Sequence, residues 1–153
     1  MTMSIEEFGE KARQALQAAP GVEGRNQVKA LLEALLSNPA FDPAYFPPEE
    51  TSPRKLLYED PELGFCVFSH VHKGASSSKP HDHGPSWAIY GQAFGETEMR
   101  EWRKKGDSVE LATTYKMSPG HAYVYNEGDI HSPSRTDETH LIRIEGMNLE
   151  GMP

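Results

Sequence analysis

His81 and His83 flank Asp82 in the run Pro80-His81-Asp82-His83-Gly84, and His131 follows in Gly128-Asp129-Ile130-His131. On an extended strand, side chains two apart point to the same face. A third histidine from a neighbouring strand can then complete one side of a metal's coordination shell. Imidazole suits iron, zinc, copper and nickel, and three protein ligands leave positions open for water, oxygen or substrate. The alternative is three unrelated polar histidines on loops. Asp82 lies between the two ligand positions and points away, as a surface residue or a hydrogen-bond partner of the ligands.

Other residues have chemistry to offer. His70 and His72 share one face of a strand: they line a pocket, or face solvent with Phe65, Val67 and Val71 inward. Arg143 and Glu145 are either an inward charged pair or the wet face opposite Ile142 and Ile144. Facing inward, Arg143 can hold an anionic substrate group through its planar fork, and Glu145 can act as a base. Cys66 reads as a small buried hydrophobe, with no histidine–carboxylate arrangement to make it a nucleophile. No glycine-rich phosphate loop or nucleophile elbow is present.

The elements that must position these residues are legible as a pattern. Ser4 and Glu7 have capping-box spacing, and Ile5, Phe8, Ala12, Leu16 and Ala19 recur at helical intervals until Pro20-Gly21. A second helix is expected from about Asn26 to Leu36, on the stripe Val28, Leu31, Leu32, Leu35 and Leu36. Residues 39–53 carry five prolines and read as a linker over the domain surface. From Arg54 onward short strands alternate with turns: Leu56–Tyr58, Phe65–His72, Trp87–Gln92, Thr97–Trp102, Val109–Met117, Ala122–Tyr125 and His140–Ile144. Such spacing predicts a small β-sandwich or jelly-roll barrel. The expected organisation is one domain: a helical segment 1–38, the linker 39–53, a barrel 54–147 and a tail 148–153.

Composition narrows the class. The chain has 153 residues, 15 basic against 23 acidic, for a formal charge of −8. That balance disfavours nucleic acid, which is bound by clustered lysine and arginine. The one short basic run, Arg103-Lys104-Lys105, precedes Gly106-Asp107 and reads as a hairpin tip. A single cysteine fits a reducing compartment, and no apolar run approaches a membrane span. A cytoplasmic location with no membrane partner is the resulting expectation.

At the histidine runs the chain resembles the cupin superfamily. Its first motif maps onto Gly74, His81, His83, Ala88 at the usual glutamate position, and Gly95. The second maps onto Gly120, Asn126 in place of proline, Gly128, His131, and Arg135 in place of asparagine. The resemblance implies a mostly β fold, the cupin double-stranded β-helix preceded by two α-helices, with His81, His83 and His131 as metal ligands. Tyr90 and Gln92 share the parity of Ala88, which faces the metal in cupins, so they are expected to line the cavity. Tyr90 is then either a core tyrosine or a hydrogen-bond donor to bound oxygen.

Three histidines without the glutamate are similar to the cysteine dioxygenase branch, whose enzymes use iron(II) and O2 to oxidise a thiol. The runs 80–84 and 95–102 and the leading helices also resemble that branch. Its late Ser-x-His-x-Tyr triad is not retained, since Arg143 and Glu145 fall at the His and Tyr positions. The cysteine that is cross-linked in the animal enzymes falls at Ala88. The branch's substrate-gripping arginine falls near Arg54 or Lys55, and its apolar pocket positions become His70 and His72. The implied protein is a mononuclear iron(II) dioxygenase for a small polar or anionic substrate, with Tyr90, Arg143 and Glu145 catalytic. Arg54, Lys55, His70, His72 and Gln92 would bind substrate. One divalent ion is implied, iron(II) first, with zinc, nickel or manganese compatible; substrate and O2 are the partners, and a homodimer is an allowed assembly. A lyase or isomerase of the same fold, or a non-catalytic metal or ligand binder, are the rival readings.

Overall fold

A computed structural model describes residues 3–82 and 84–147; His83 and the tail 148–153 lie outside the described residues. Two helices lead: α1 (Ile5–Ala18) and α2 (Val22–Leu36). Ser4 caps α1 as its spacing predicts, with the Glu7 backbone N–H donating to Ser4 Oγ at 3.1 Å. Gly21, at φ +101°, makes the turn into α2, which therefore starts earlier than expected. The proline-rich linker is not wholly irregular. It contains a short helix α3 (Phe41–Tyr45) whose Phe41 is buried in the same core cluster as the apolar residues of the first two helices.

Among the described residues nine strands follow: β1 (Lys55–Glu59), β2 (Cys66–His72), β3 (Ser76–Ser77), β4 (Ala88–Phe94), β5 (Thr97–Lys105), β6 (Ser108–Met117), β7 (Ala122–Tyr125), β8 (Ile130–Arg135) and β9 (Thr139–Glu145). They form two antiparallel sheets, ordered β1-β2-β9-β4-β7 and β3-β8-β5-β6. Two of them, β3 and β8, have no counterpart in the periodicity. Pro133 interrupts β8, yet its carbonyl accepts the Ser78 N–H at 3.0 Å, so its donorless nitrogen faces the ragged β3 side. The pairing with β5 is undisturbed there, with Met99 opposite Pro133.

The five-stranded sheet is buried on both faces. Its outer face carries Val67, Val71, Ile89, Ile142 and Ile144, packed against Phe8, Ala12, Val28 and Leu32 of the helices. Its inner face meets the other sheet through Ala88, Tyr90, Met99, Met117 and Tyr125. The helices approach so closely that a Cβ on Gly91 would lie 2.7 Å from Leu36 Cδ1. Alternation then fixes which side chains enter the barrel. On β2 they are Cys66, Phe68, His70 and His72; on β9 they are Leu141, Arg143 and Glu145. No helix among the described residues is long and apolar enough to cross a membrane.

Candidate metal and substrate cavity

A cavity of about 140 Å³ opens between the two sheets, lined by His70, His72, Ser78, His81, Tyr90, Pro133, Arg135, Leu141 and Arg143. His81 reaches it from the loop before β4. Its backbone bridges that of His131, with N–H···O distances of 3.0 and 2.9 Å. Because the two backbones are paired, the rings meet at a centroid distance of 4.8 Å, edge to face. His131 is fully buried, ringed by Tyr90 and Tyr125. Tyr90 Oη lies 3.3 Å from His131 Nε2, and Tyr125 in turn bonds to the Tyr115 hydroxyl.

The donor chemistry fits a divalent ion. The His81 Nδ1–H donates to the Lys79 carbonyl at 2.8 Å, which fixes the tautomer and makes Nε2 the ring's basic nitrogen. Among the described residues no group of three or more His, Cys, Asp or Glu side chains is placed to hold a metal, and His83 lies outside them. Asp82 is exposed and accepts the Gly84 N–H at 2.8 Å, a local turn contact.

His70 and His72 face the cavity, resolving the choice that alternation left open. The His70 Nδ1–H donates to the Pro53 carbonyl at 2.7 Å, while Nε2 is buried and has no hydrogen-bond partner among the described residues. Burial, reinforced by the Arg143 charge, pushes its pKa down to about 3. His72, lowered by burial and by Arg135 and Arg143, is down to about 4. Both rings are therefore neutral at physiological pH. Burial raises the Tyr90 phenol above its usual value, so it remains protonated.

Arg143 also faces inward, on the cavity wall. Glu145 is buried beside it, with Oε1 2.8 Å from Arg143 Nε, and does not itself reach the wall. The approach is off the N–H axis, an ion pair more than a hydrogen bond. Glu145 sits directly opposite Ala88 in the β4–β9 register and opposite Cys66 in the β2–β9 register. Cys66 is buried with its thiol pKa pushed up to about 11 by burial, which suits a packing role.

Three expected substrate contacts lie elsewhere. Gln92 is fully buried at the end of β4, where its amide donates to the Phe94 and Gly95 carbonyls and accepts from Thr97. Its hydrogen bonds close the β4–β5 turn, and it is not on the cavity wall. Arg54 is exposed and stacks on Phe68 with its guanidinium carbon 4.1 Å from the ring centre. Lys55 is exposed and pairs with Glu50 at 3.2 Å. Neither lines the cavity.

The inward cation that sequence reasoning missed is Arg135. The resemblance had marked it only as a replacement for asparagine. Its signal was available: Arg135 shares strand parity with His131 and Pro133, so reading β8 through the proline turns it to the same face as His131. His140, by contrast, points outward, sandwiched between Phe46 and Phe94, with its nitrogens 2.8 Å from Asp42 and Glu138.

Solved structures share this two-sheet antiparallel jelly roll. The cupin domain of Schizosaccharomyces pombe Cnp3 is similar at a TM-score of 0.50 and 12% identity, over 62% of this chain and 64% of that one. BH2720 from Bacillus halodurans is similar at a TM-score of 0.54 and 12% identity, over 63% of this chain and 71% of that one. This chain thus spans just under two thirds of the fission-yeast chain's length. No protein-family model matches the sequence, and no curated protein does. The protein has the cupin fold.

Proposed function

We propose that this is a metal-dependent cupin enzyme, a mononuclear iron(II) dioxygenase acting on a small anionic substrate. His81, His83 and His131 would hold the metal. When bound, iron(II) supplies a Lewis-acidic, redox-active centre with positions left for substrate and O2. The observation that carries the reading is that His81, on the wall of a cavity also lined by arginine and two neutral histidines, meets the buried His131 ring edge to face.

The chain's own groups have separable tasks. Arg143 presents its guanidinium to the cavity and orients an anionic group. Glu145 holds Arg143 in place from behind, a positioning role in place of the base role expected from its sequence position. Tyr90, protonated at neutral pH and adjacent to His131, donates a hydrogen bond to whatever oxygen atom binds beside that ring. The polar wall formed by His70 and His72 disfavours an apolar substrate.

O2 consumption by iron-reconstituted protein, screened against small carboxylates and thiols, tests the proposal. Substrate-dependent uptake is expected, and Tyr90→Phe should lower kcat on the order of a hundredfold while leaving the bound iron unchanged. Turnover of a substrate at full rate without oxygen would overturn the dioxygenase reading in favour of lyase or isomerase chemistry. Iron-loaded protein that consumes no O2 with any compound in the screen would overturn it in favour of simple binding.

A further inference from the structure

Arg135 stands out because nothing described neutralises it. It is 7% exposed, lines the cavity, and has neither an ion pair nor a side-chain hydrogen bond among the described residues, its Nε being buried without a partner. A buried charge left in this condition is unfavourable unless an anion joins it. Its neighbour Arg143 is already paired with Glu145. Two guanidiniums against one carboxylate leave the cavity with one excess positive charge, since His70 and His72 are neutral.

A second unsatisfied group lies on the same wall. His70 is 8% exposed, its Nδ1–H is committed to Pro53, and its Nε2 can only accept a hydrogen bond. An occupant that meets both demands carries one negative charge and one donor. The donor must be uncharged, because an ammonium would sit in the field of two guanidiniums. Size sets the last limit: at about 140 Å³ the cavity falls well below the roughly 300–1,000 Å³ of sites for drug-sized ligands.

We infer that Arg135 anchors the carboxylate of a small hydroxy acid, whose hydroxyl donates to His70 Nε2. This deepens the reading above by naming its substrate class, yet the two contacts need no metal. The experiment is titration calorimetry on the full-length chain with glycolate, acetate and glycine as probes, run both with a chelator and with added iron. Glycolate should bind more tightly than acetate, and acetate more tightly than glycine, in both conditions. Arg135→Met should weaken glycolate and acetate alike by about tenfold to a hundredfold, as expected for loss of charge-assisted hydrogen bonds. Arg135→Lys, which keeps the charge but not the fork, should fall between. His70→Phe should bring glycolate down to the affinity of acetate while acetate itself still binds. Unchanged glycolate affinity in both Arg135 variants, or glycine binding as tightly as glycolate, would overturn the inference. Loss of iron binding alone would count against the metal centre and leave this result standing.

Discussion

Arg143 and Glu145 lie two residues apart on the inner face of β9, with Nε and Oε1 separated by 2.8 Å inside the barrel. A charged pair in this position stands on a strand whose alternate residues, Ile142 and Ile144, are fully buried against the helices. Removing Glu145 leaves the half-buried Arg143 charge without its ion-pair partner. Glu145→Leu should therefore destabilise the protein by about 3 kcal/mol, whereas Arg143→Met combined with Glu145→Leu should cost much less. Urea unfolding of the two single variants and the double variant checks this. Additive losses would show that the pair does not act as a unit.

Arg135 should behave in the opposite way. Its charge is buried and has no described partner, so Arg135→Met should raise stability by about 1 kcal/mol or more when no ligand is present. Thermal unfolding gives the answer. A lower Tm for Arg135→Met than for the unaltered protein would mean that the guanidinium is already satisfied in solution.

The histidines predict how stability depends on pH. His70 titrates near 3 in the folded chain because burial and Arg143 oppose its protonation. The unfolded chain protonates it near its ordinary value of about 6.5. The unfolded state therefore binds more protons between those limits, and stability rises with pH across them. The His70 contribution is fully present above about pH 6.5 and is lost as pH falls toward 3, by up to about 1.4 kcal/mol per pH unit. His72, half-buried, adds a weaker slope of the same sign. Unfolding free energies measured from pH 7 down to 4 should decline less steeply in His70→Phe than in the unaltered chain. Parallel curves would contradict the burial of this ring.

Much of this architecture could be read from residue order alone, and the parts that could not share a physical cause. The Ser4 cap, the stripe on α2 and seven of the strands follow from local periodicity. Which face of β2 and β9 enters the barrel does not. The helices cover the outer sheet face, so both faces are buried and polarity no longer marks the inside. β8 was hidden by Pro133, a residue tolerated because its nitrogen faces the short edge strand β3. With β8 went Arg135. The short helix α3 was likewise obscured by the prolines around it. Arg54 and Lys55 were drawn into the expected site by position in the resemblance, while the cavity takes its cations from β8 and β9 instead.

The metal content of protein purified without an affinity tag and reconstituted with iron(II) tests the central claim most directly. About one ion per chain is expected, falling to near zero in both His81→Ala and His131→Ala while the fold persists by circular dichroism. Undiminished metal in those two variants, or no uptake by the unaltered protein, would contradict a metal centre at the mouth of this barrel.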